Sequence, residues 1–264
     1  MPLGAFETEV LRLLAAQRSP DSFVGGATVL HQSASSPRAS KDVDLFHDEE
    51  DAVSAAAEAD VAVLRQAGIR VEVERRNEGF VRAFIARDAQ RSKIEWVRDS
   101  AFRFFPVEPD PLLGWRLNFW DAATNKLLAF AGRMKLRDYL DVMFLHDRHL
   151  HVGALAWAAA GKDPGLSAEQ IIEWGGRQAR LNGQEVSKLL LTEPVDLNDL
   201  RLRWVTVADE ALALFEKLPA AERGCLYLDA SGQPVCPNPE APDFAKLTRH
   251  YGSVKGAWPR IGES

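Results

Sequence analysis

The sequence predicts an α+β chain in which a lobe built on a mixed sheet is followed by a mainly helical lobe. Three observations carry that expectation. Runs with period-two alternation, IRVEVE at 69–74 and FVRAFIA at 80–86, lie in the first part of the chain, as strands with one buried face require. A proline-rich stretch from Pro106 to Leu113 then closes the region. Beyond it apolar residues recur at three- and four-residue spacing, the mark of helices that lay one face on a core. The lobes are accordingly placed at 1–113 and 114–264.

With 264 residues and 46% apolar residues the chain can bury a substantial core. A formal net charge of −6 argues against a protein that coats nucleic acid over its whole surface, but leaves room for a local basic cleft. No segment approaches the roughly 18 uninterrupted apolar residues of a membrane span. MPLGAFETEV also lacks the basic-then-apolar layout of a signal peptide, so a cytoplasmic protein with no membrane partner is expected. Cys225 and Cys236 flank a turn, and in a reducing compartment they are expected as free thiols rather than as a disulfide or a metal site.

In the first lobe, Val10, Leu11, Leu13 and Leu14 give the stretch Thr8 to Arg18 helical spacing, which SPDS at 19–22 interrupts. Phe23-Val24 reads as a short buried strand entering a turn at Gly25-Gly26, with a second helix from Ala27 to Gln32. A glycine pair between a strand and a helix lets the backbone approach a phosphate, although the same pair also serves as a plain turn. After a loop at 33–40, DVDLF is a strand that places Asp42 and Asp44 on one face and Val43 and Leu45 on the other. Two carboxylates so close repel unless a hard cation lies between them, and Mg²⁺ takes one or two protein carboxylates plus substrate phosphates. DEED at 48–51 suits the N-terminus of an alanine-rich helix ending near Gly68. Three strands follow, at 69–74, 80–86 and 92–97, and extend the same sheet. Glu95 in the last of them could reach the ion at Asp42 and Asp44, and fits a solvated strand residue equally well.

The second lobe opens with a helical segment at 121–145, N-capped by Asp121, with Leu127, Leu128 and Phe130 turned to the core and a break at Gly132. Lys126, Arg133, Lys135 and Arg137, interleaved with Asp138 and Asp141, form a dense basic stretch that also suits a solvated helix face with neighbouring ion pairs. Further helices are expected at 151–160, 167–179, 183–191 and 197–217, the last with Leu200, Val207, Leu212 and Phe215 inward. CLYLDASGQPVC reads as a small hairpin around Ser231-Gly232, and the remaining residues, low in periodicity, as a tail or lid.

Two blocks, FVGGATVLH with RASKDVDLF, and DAATNKLLAFAGRMKLRDYLD, resemble the AbiEii/AbiGii type of bacterial nucleotidyltransferase toxins, within the polymerase-β-like nucleotidyltransferase superfamily. They span residues 23–145. The resemblance implies that Asp42 and Asp44 bind Mg²⁺ with Glu95 as third carboxylate, and that Gly25, Gly26 and the Thr28 hydroxyl hold triphosphate oxygens. It further implies that Lys126 contacts the nucleotide phosphates and that Arg38 and Ser40 orient the nucleotide. Arg137, Asp138 and Asp141 match the family's Arg-Asp motif, and Arg133 and Arg137 would complement phosphates. Ala27 stands where many members carry a hydroxyl residue, and Glu95 where aspartate is frequent. The implied activity is transfer of a nucleoside monophosphate from a nucleoside triphosphate to an acceptor hydroxyl. Such a protein would be the toxin of a toxin–antitoxin system acting on RNA such as the tRNA acceptor end, with a cognate antitoxin. The alternatives are a protein or small-molecule acceptor, or nucleotide binding without turnover.

Overall fold

The computed structural model describes residues 3–32, 36–40, 42–133, 135–178 and 183–261. Lys41 of RASKDVDLF, residues 33–35 of the expected loop, Met134 of the basic stretch, residue 179 of an expected helix and residues 262–264 of the expected tail lie outside the described residues. The chain forms two units, one of residues 1–101 and 106–122, the other of 102–105 and 123–264.

In the first unit, α1 (Ala5–Leu14), β1 (Ser22–Val24), α2 (Gly26–Leu30), β2 (Asp42–His47) and α3 (Glu50–Gln66) precede the meander β3 (Arg70–Asn77), β4 (Phe80–Arg87) and β5 (Gln90–Arg98). After β6 (Phe102–Arg103), which belongs to the second unit, β7 (Glu108–Asp110) and β8 (Gly114–Arg116) return to the first. Seven strands make one mixed sheet in the order β3-β4-β5-β2-β1-β8-β7. The β2–β5 and β1–β8 pairs are parallel and the others antiparallel. The sequence reading misses β7 and β8, each three residues long, because a Pro109-containing edge strand is too short to show alternation.

Alternation sorts the two faces of this sheet. Val43 and Leu45 of β2, Val81, Ala83 and Ile85 of β4, and Ile94 and Trp96 of β5 form one core with Val10, Leu11 and Leu14 of α1 and Val53, Ala57 and Leu64 of α3. Glu50 and Asp51 occupy the first turn of α3, where the helix dipole favours negative charge. Within this core Asp60 accepts both hydrogen bonds of the Arg18 Nη2 at 2.6 Å and one from Trp96 Nε1 at 2.7 Å. The opposite face of β2 and β5 carries Asp42, Asp44, Lys93 and Glu95.

α4 (Phe119–Gly132) begins in the first unit and continues into the second, which contains α5 (Leu136–Arg148), α6 (Val152–Ala159), α7 (Ala168–Gln178), α8 (Gly183–Val186), α9 (Leu197–Lys217), β9 (Cys225–Leu228), β10 (Thr248–Tyr251) and β11 (Ser253–Val254). Gly132 ends α4 as expected, but Asp121 is not the cap. The helix starts two residues earlier, Asn118 Oδ1 accepts from Trp120 N at 2.9 Å, and Asp121 is buried inside the first turn. The helix expected at 183–191 is the single turn α8. On α9 the buried stripe is Leu200, Trp204, Val207, Ala211 and Phe215, with Leu212 only half-buried.

The C-terminal expectation is corrected most. The chain does turn at Gly232, with Asp229 N donating to Gln233 O at 2.9 Å and Val235 N to Tyr227 O at 2.9 Å. Pro234 supplies no donor, so β9 takes its full ladder from β10, inside the segment expected as an aperiodic tail. β11 pairs with β6, and His250 Nε2 lies 2.8 Å from Phe104 O. Cys225 is buried, Cys236 exposed, and both are free thiols. No helix among the described residues is long and apolar enough to cross a membrane.

Candidate functional site

The site is built where β1 turns into α2 against β2. Gly25 has extended backbone, and its N–H donates to Asp44 O at 3.1 Å, which ties the turn to the strand. Gly26 has φ +62, the left-handed region that favours glycine. A Cβ there would fall 2.3 Å from Asp44 Oδ2. The glycine pair therefore does two different things. Gly25 spends its donor on the strand, and Gly26 keeps the space beside the Asp44 carboxylate open. Thr28, one turn on, is buried, and its Oγ1 has no hydrogen-bond partner among the described residues.

Parallel register sets Asp42 opposite Lys93 and Asp44 opposite Glu95 on the shared face. Lys93 Nζ lies 3.2 Å from Asp42 Oδ2 and 2.9 Å from Glu95 Oε1, bridging the two strands. Arg82 Nε, from β4, reaches the same Glu95 oxygen at 2.7 Å. Three carboxylates thus share one face with two cations. Among the described residues no group of three or more His, Cys, Asp or Glu side chains could hold a metal ion by itself. The donor set still fits Mg²⁺, which needs only one or two carboxylates when substrate phosphates and water complete its shell. The space beside Asp44 that a side chain at residue 26 would fill is where such oxygens could enter.

Arg38 and Ser40 hold the entry to β2. Both are buried, Ser40 Oγ donates to Asp42 O at 3.1 Å, and the Arg38 carbonyl accepts from Ser36 Oγ at 2.8 Å. These contacts fix the backbone that presents Asp42.

Lys126, Arg133 and Asp138 gather in the second unit. Lys126 Nζ is 2.9 Å from both Asp138 Oδ1 and Asp141 Oδ2, and Arg133 Nε is 2.7 Å from Asp138 Oδ2. Both aspartates are fully buried, whereas Arg133 is exposed. Burial alone pushes the Asp138 carboxyl upward, but the Lys126 charge and the Arg133 hydrogen bond outweigh it and hold the group below its ordinary value. The basic stretch is therefore an ordered cluster in which Lys126 is locked between two acids. Arg137 is half-buried on α5.

Sequence reading missed Lys93 and Arg82. The signal was present: Lys93 stands two residues before Glu95 in SKIEWV, and Arg82 belongs to the alternating FVRAFIA, so both share the acidic face.

A family profile described as "Nucleotidyl transferase AbiEii toxin, Type IV TA system" matches residues 12–222. Among solved structures, one described as a "putative nucleotidyltransferase from H. pylori" aligns at 20% identity and TM-score 0.53, covering 81% of this chain and 97% of that one. JHP933 from Helicobacter pylori aligns at 20% identity and TM-score 0.51, covering 80% and 90%. MenT4, a nucleotidyltransferase toxin from Mycobacterium tuberculosis, aligns at 16% identity and TM-score 0.57, covering 82% and 83%. At these identities the likeness shows a shared fold. A comparison with curated protein sequences finds no match.

Proposed function

The chain belongs to the AbiEii nucleotidyltransferase toxin family, and from that premise we propose that it transfers a nucleoside monophosphate from a nucleoside triphosphate to an acceptor hydroxyl on RNA, at a site centred on Asp42 and Asp44. The observation that carries this reading is the Gly26 turn held against the Asp44 carboxylate, opposite Glu95. A packed strand has no structural need for paired carboxylates facing a space kept open by a left-handed glycine.

Mg²⁺ held by Asp42 and Asp44, with Glu95 as third carboxylate, would supply charge neutralisation for the triphosphate and the departing pyrophosphate and activate the attacking oxygen. The chain's own residues set the geometry. Gly26 admits a phosphate oxygen beside Asp44, and Gly25 pins the turn through its N–H. Arg82 and Lys93 orient the Glu95 carboxylate, and Lys93 balances Asp42. In the second unit, considered by itself, Lys126 is the proposed phosphate-contacting residue, its ammonium held by Asp138 and Asp141, with Arg133 and Arg137 as further candidate phosphate contacts. Arg38 and Ser40 act by fixing the entry to β2, and the buried Thr28 hydroxyl, without a partner among the described residues, is a candidate contact for a triphosphate oxygen. The acceptor end of tRNA is the preferred RNA, and a cognate antitoxin the expected regulatory partner.

Incubating the protein with each α-³²P-labelled nucleoside triphosphate, Mg²⁺ and total tRNA tests this. Label on RNA, lost when EDTA is added, is the expected result. Label on protein or on a small molecule overturns the RNA acceptor, and no transfer to any acceptor overturns the activity.

A further inference from the structure

The face that bears Asp42 and Glu95 continues to the outer edge of the sheet. Register pairs Asp42 with Lys93, Lys93 with Phe84 and Phe84 with Glu72, and likewise Arg91 with Ala86 and Ala86 with Arg70. Paired residues share a face, so all of these side chains stand on the acidic side of the sheet. At a strand spacing of about 4.8 Å, Phe84 lies ~10 Å from Asp42 across it. Phe84 is 47% exposed, although Ala83 and Ile85 on either side of it are fully buried on the other face. An open aromatic ring in the middle of a sheet face is a contact surface without its contact.

A cleft of about 870 Å³ is lined by Phe84 together with Arg70 and Glu72 of β3, Arg91 at the start of β5 and Arg65 at the end of α3. Arg65 Nη2 donates to Val71 O at 3.3 Å, so two arginines on the Phe84 face, Arg70 and Arg91, stand beside one carboxylate there, on a chain whose net charge is −6. Three other arginines of the same strands are ion-paired, Arg76 with Glu58, Arg82 with Glu74 and Glu95, and Arg87 with Glu9, whereas Arg75 and Arg98 have no ion pair among the described residues but do not line the cleft. Arg70 and Arg91 are exposed, and neither has a hydrogen-bond or ion-pair partner among the described residues.

We propose that this cleft is a subsite for a single-stranded polynucleotide, in which an unpaired base stacks on Phe84 and flanking phosphates are paired by Arg70 and Arg91. Stacking needs a base face that a duplex keeps covered and a single strand exposes, and arginine forks match phosphate oxygens in pairs. One exposed aromatic flanked on its own face by Arg70 and Arg91 fits that polyanion. Its place on the acidic face would let a bound strand present its end to Asp42, Asp44 and Glu95. The placement rests on the transfer reading above, but the binding itself is measurable without turnover.

Fluorescence anisotropy of a labelled oligoribonucleotide, and of the deoxy strand of the same sequence, is measured with no nucleoside triphosphate present. Wild-type protein binds both single strands more tightly than a duplex. Phe84→Ala weakens binding ~5-fold or more, and Phe84→Trp restores it. Arg70→Gln and Arg91→Gln each weaken binding and lower the slope of log affinity against log salt by about 0.7. Unchanged affinity in all three loss variants, preference for the duplex, or absence of wild-type binding overturns the subsite. Loss of the two readings is distinguishable. Oligonucleotide binding without label transfer removes the transferase and keeps the subsite, whereas full transfer to RNA with unchanged KM in Phe84→Ala and both arginine variants removes the subsite alone.

Discussion

Gly26 is where folding and catalysis can be separated by one methyl group. Its φ of +62 makes alanine costly by itself, roughly 1–2 kcal/mol, and the added Cβ would stand 2.3 Å from Asp44 Oδ2. The strand cannot move away, because Asp44 O holds Gly25 N and β2 is paired on both sides. The carboxylate must turn instead. Gly26→Ala is therefore expected to fold, to lose about 1–2 kcal/mol in urea unfolding, and to lose far more activity than that stability change explains. Label transfer per folded molecule checks this, and activity retained in a destabilised protein would contradict the role given to the turn. Lys93 is the other residue that changes the picture of the site. Bridging Asp42 and Glu95, it places a positive charge directly between the carboxylates of the two strands.

At the scale of elements, the parallel pairing of β2 with β5 brings Glu95 opposite Asp44, and sequence could reach only half of that. Period-two alternation gives the strands and the faces of Asp42, Asp44 and Glu95, and the acidic start of an alanine-rich stretch gives the helix that follows β2, because each is a local pattern. Register is not local. That Lys93 falls opposite Asp42, and that Arg82 reaches Glu95, depends on β5 inserting between β4 and β2. The C-terminal segment was illegible for a related reason. Its strands are two and four residues long, and their partners lie far away in sequence, Phe102–Arg103 for β11 and Cys225–Leu228 for β10. The chain just after α1 is tied to α3 and β5 by a device no periodicity reveals, the buried pair of Arg18 and Asp60 with Trp96. Removing one charge leaves the other buried and uncompensated. Asp60→Ala is expected to cost about 3–5 kcal/mol in chemical denaturation, and a loss under 1 kcal/mol would show that the pair is not desolvated.

For the whole molecule, the last residue of β2 ties stability to pH. His47 is fully buried, with neither ring nitrogen hydrogen-bonded to a described residue. Burial first, and then the Arg18 guanidinium, push its imidazole down to about 4. The unfolded chain titrates near its ordinary value of about 6.5, so between these values the unfolded state binds a proton that the native state refuses. Stability is unaffected by His47 above about pH 7 and falls as pH drops from about 6.5 to about 4, by up to ~3 kcal/mol. Urea midpoints at pH 7.5 and 5 are expected to differ less in His47→Leu than in wild type, and an equal drop in both would assign the effect to other groups. Among all these features, the proposed transfer turns most on the two aspartates of β2. The most direct measurement is the rate of α-³²P nucleotide transfer by Asp44→Asn beside wild type, with circular dichroism showing that both are folded. A fall of ~100-fold or more with the fold intact is expected, since one preorganised charge at a reacting phosphate contributes on that order; transfer at the wild-type rate would remove Asp44, and with it the proposed site, from the chemistry.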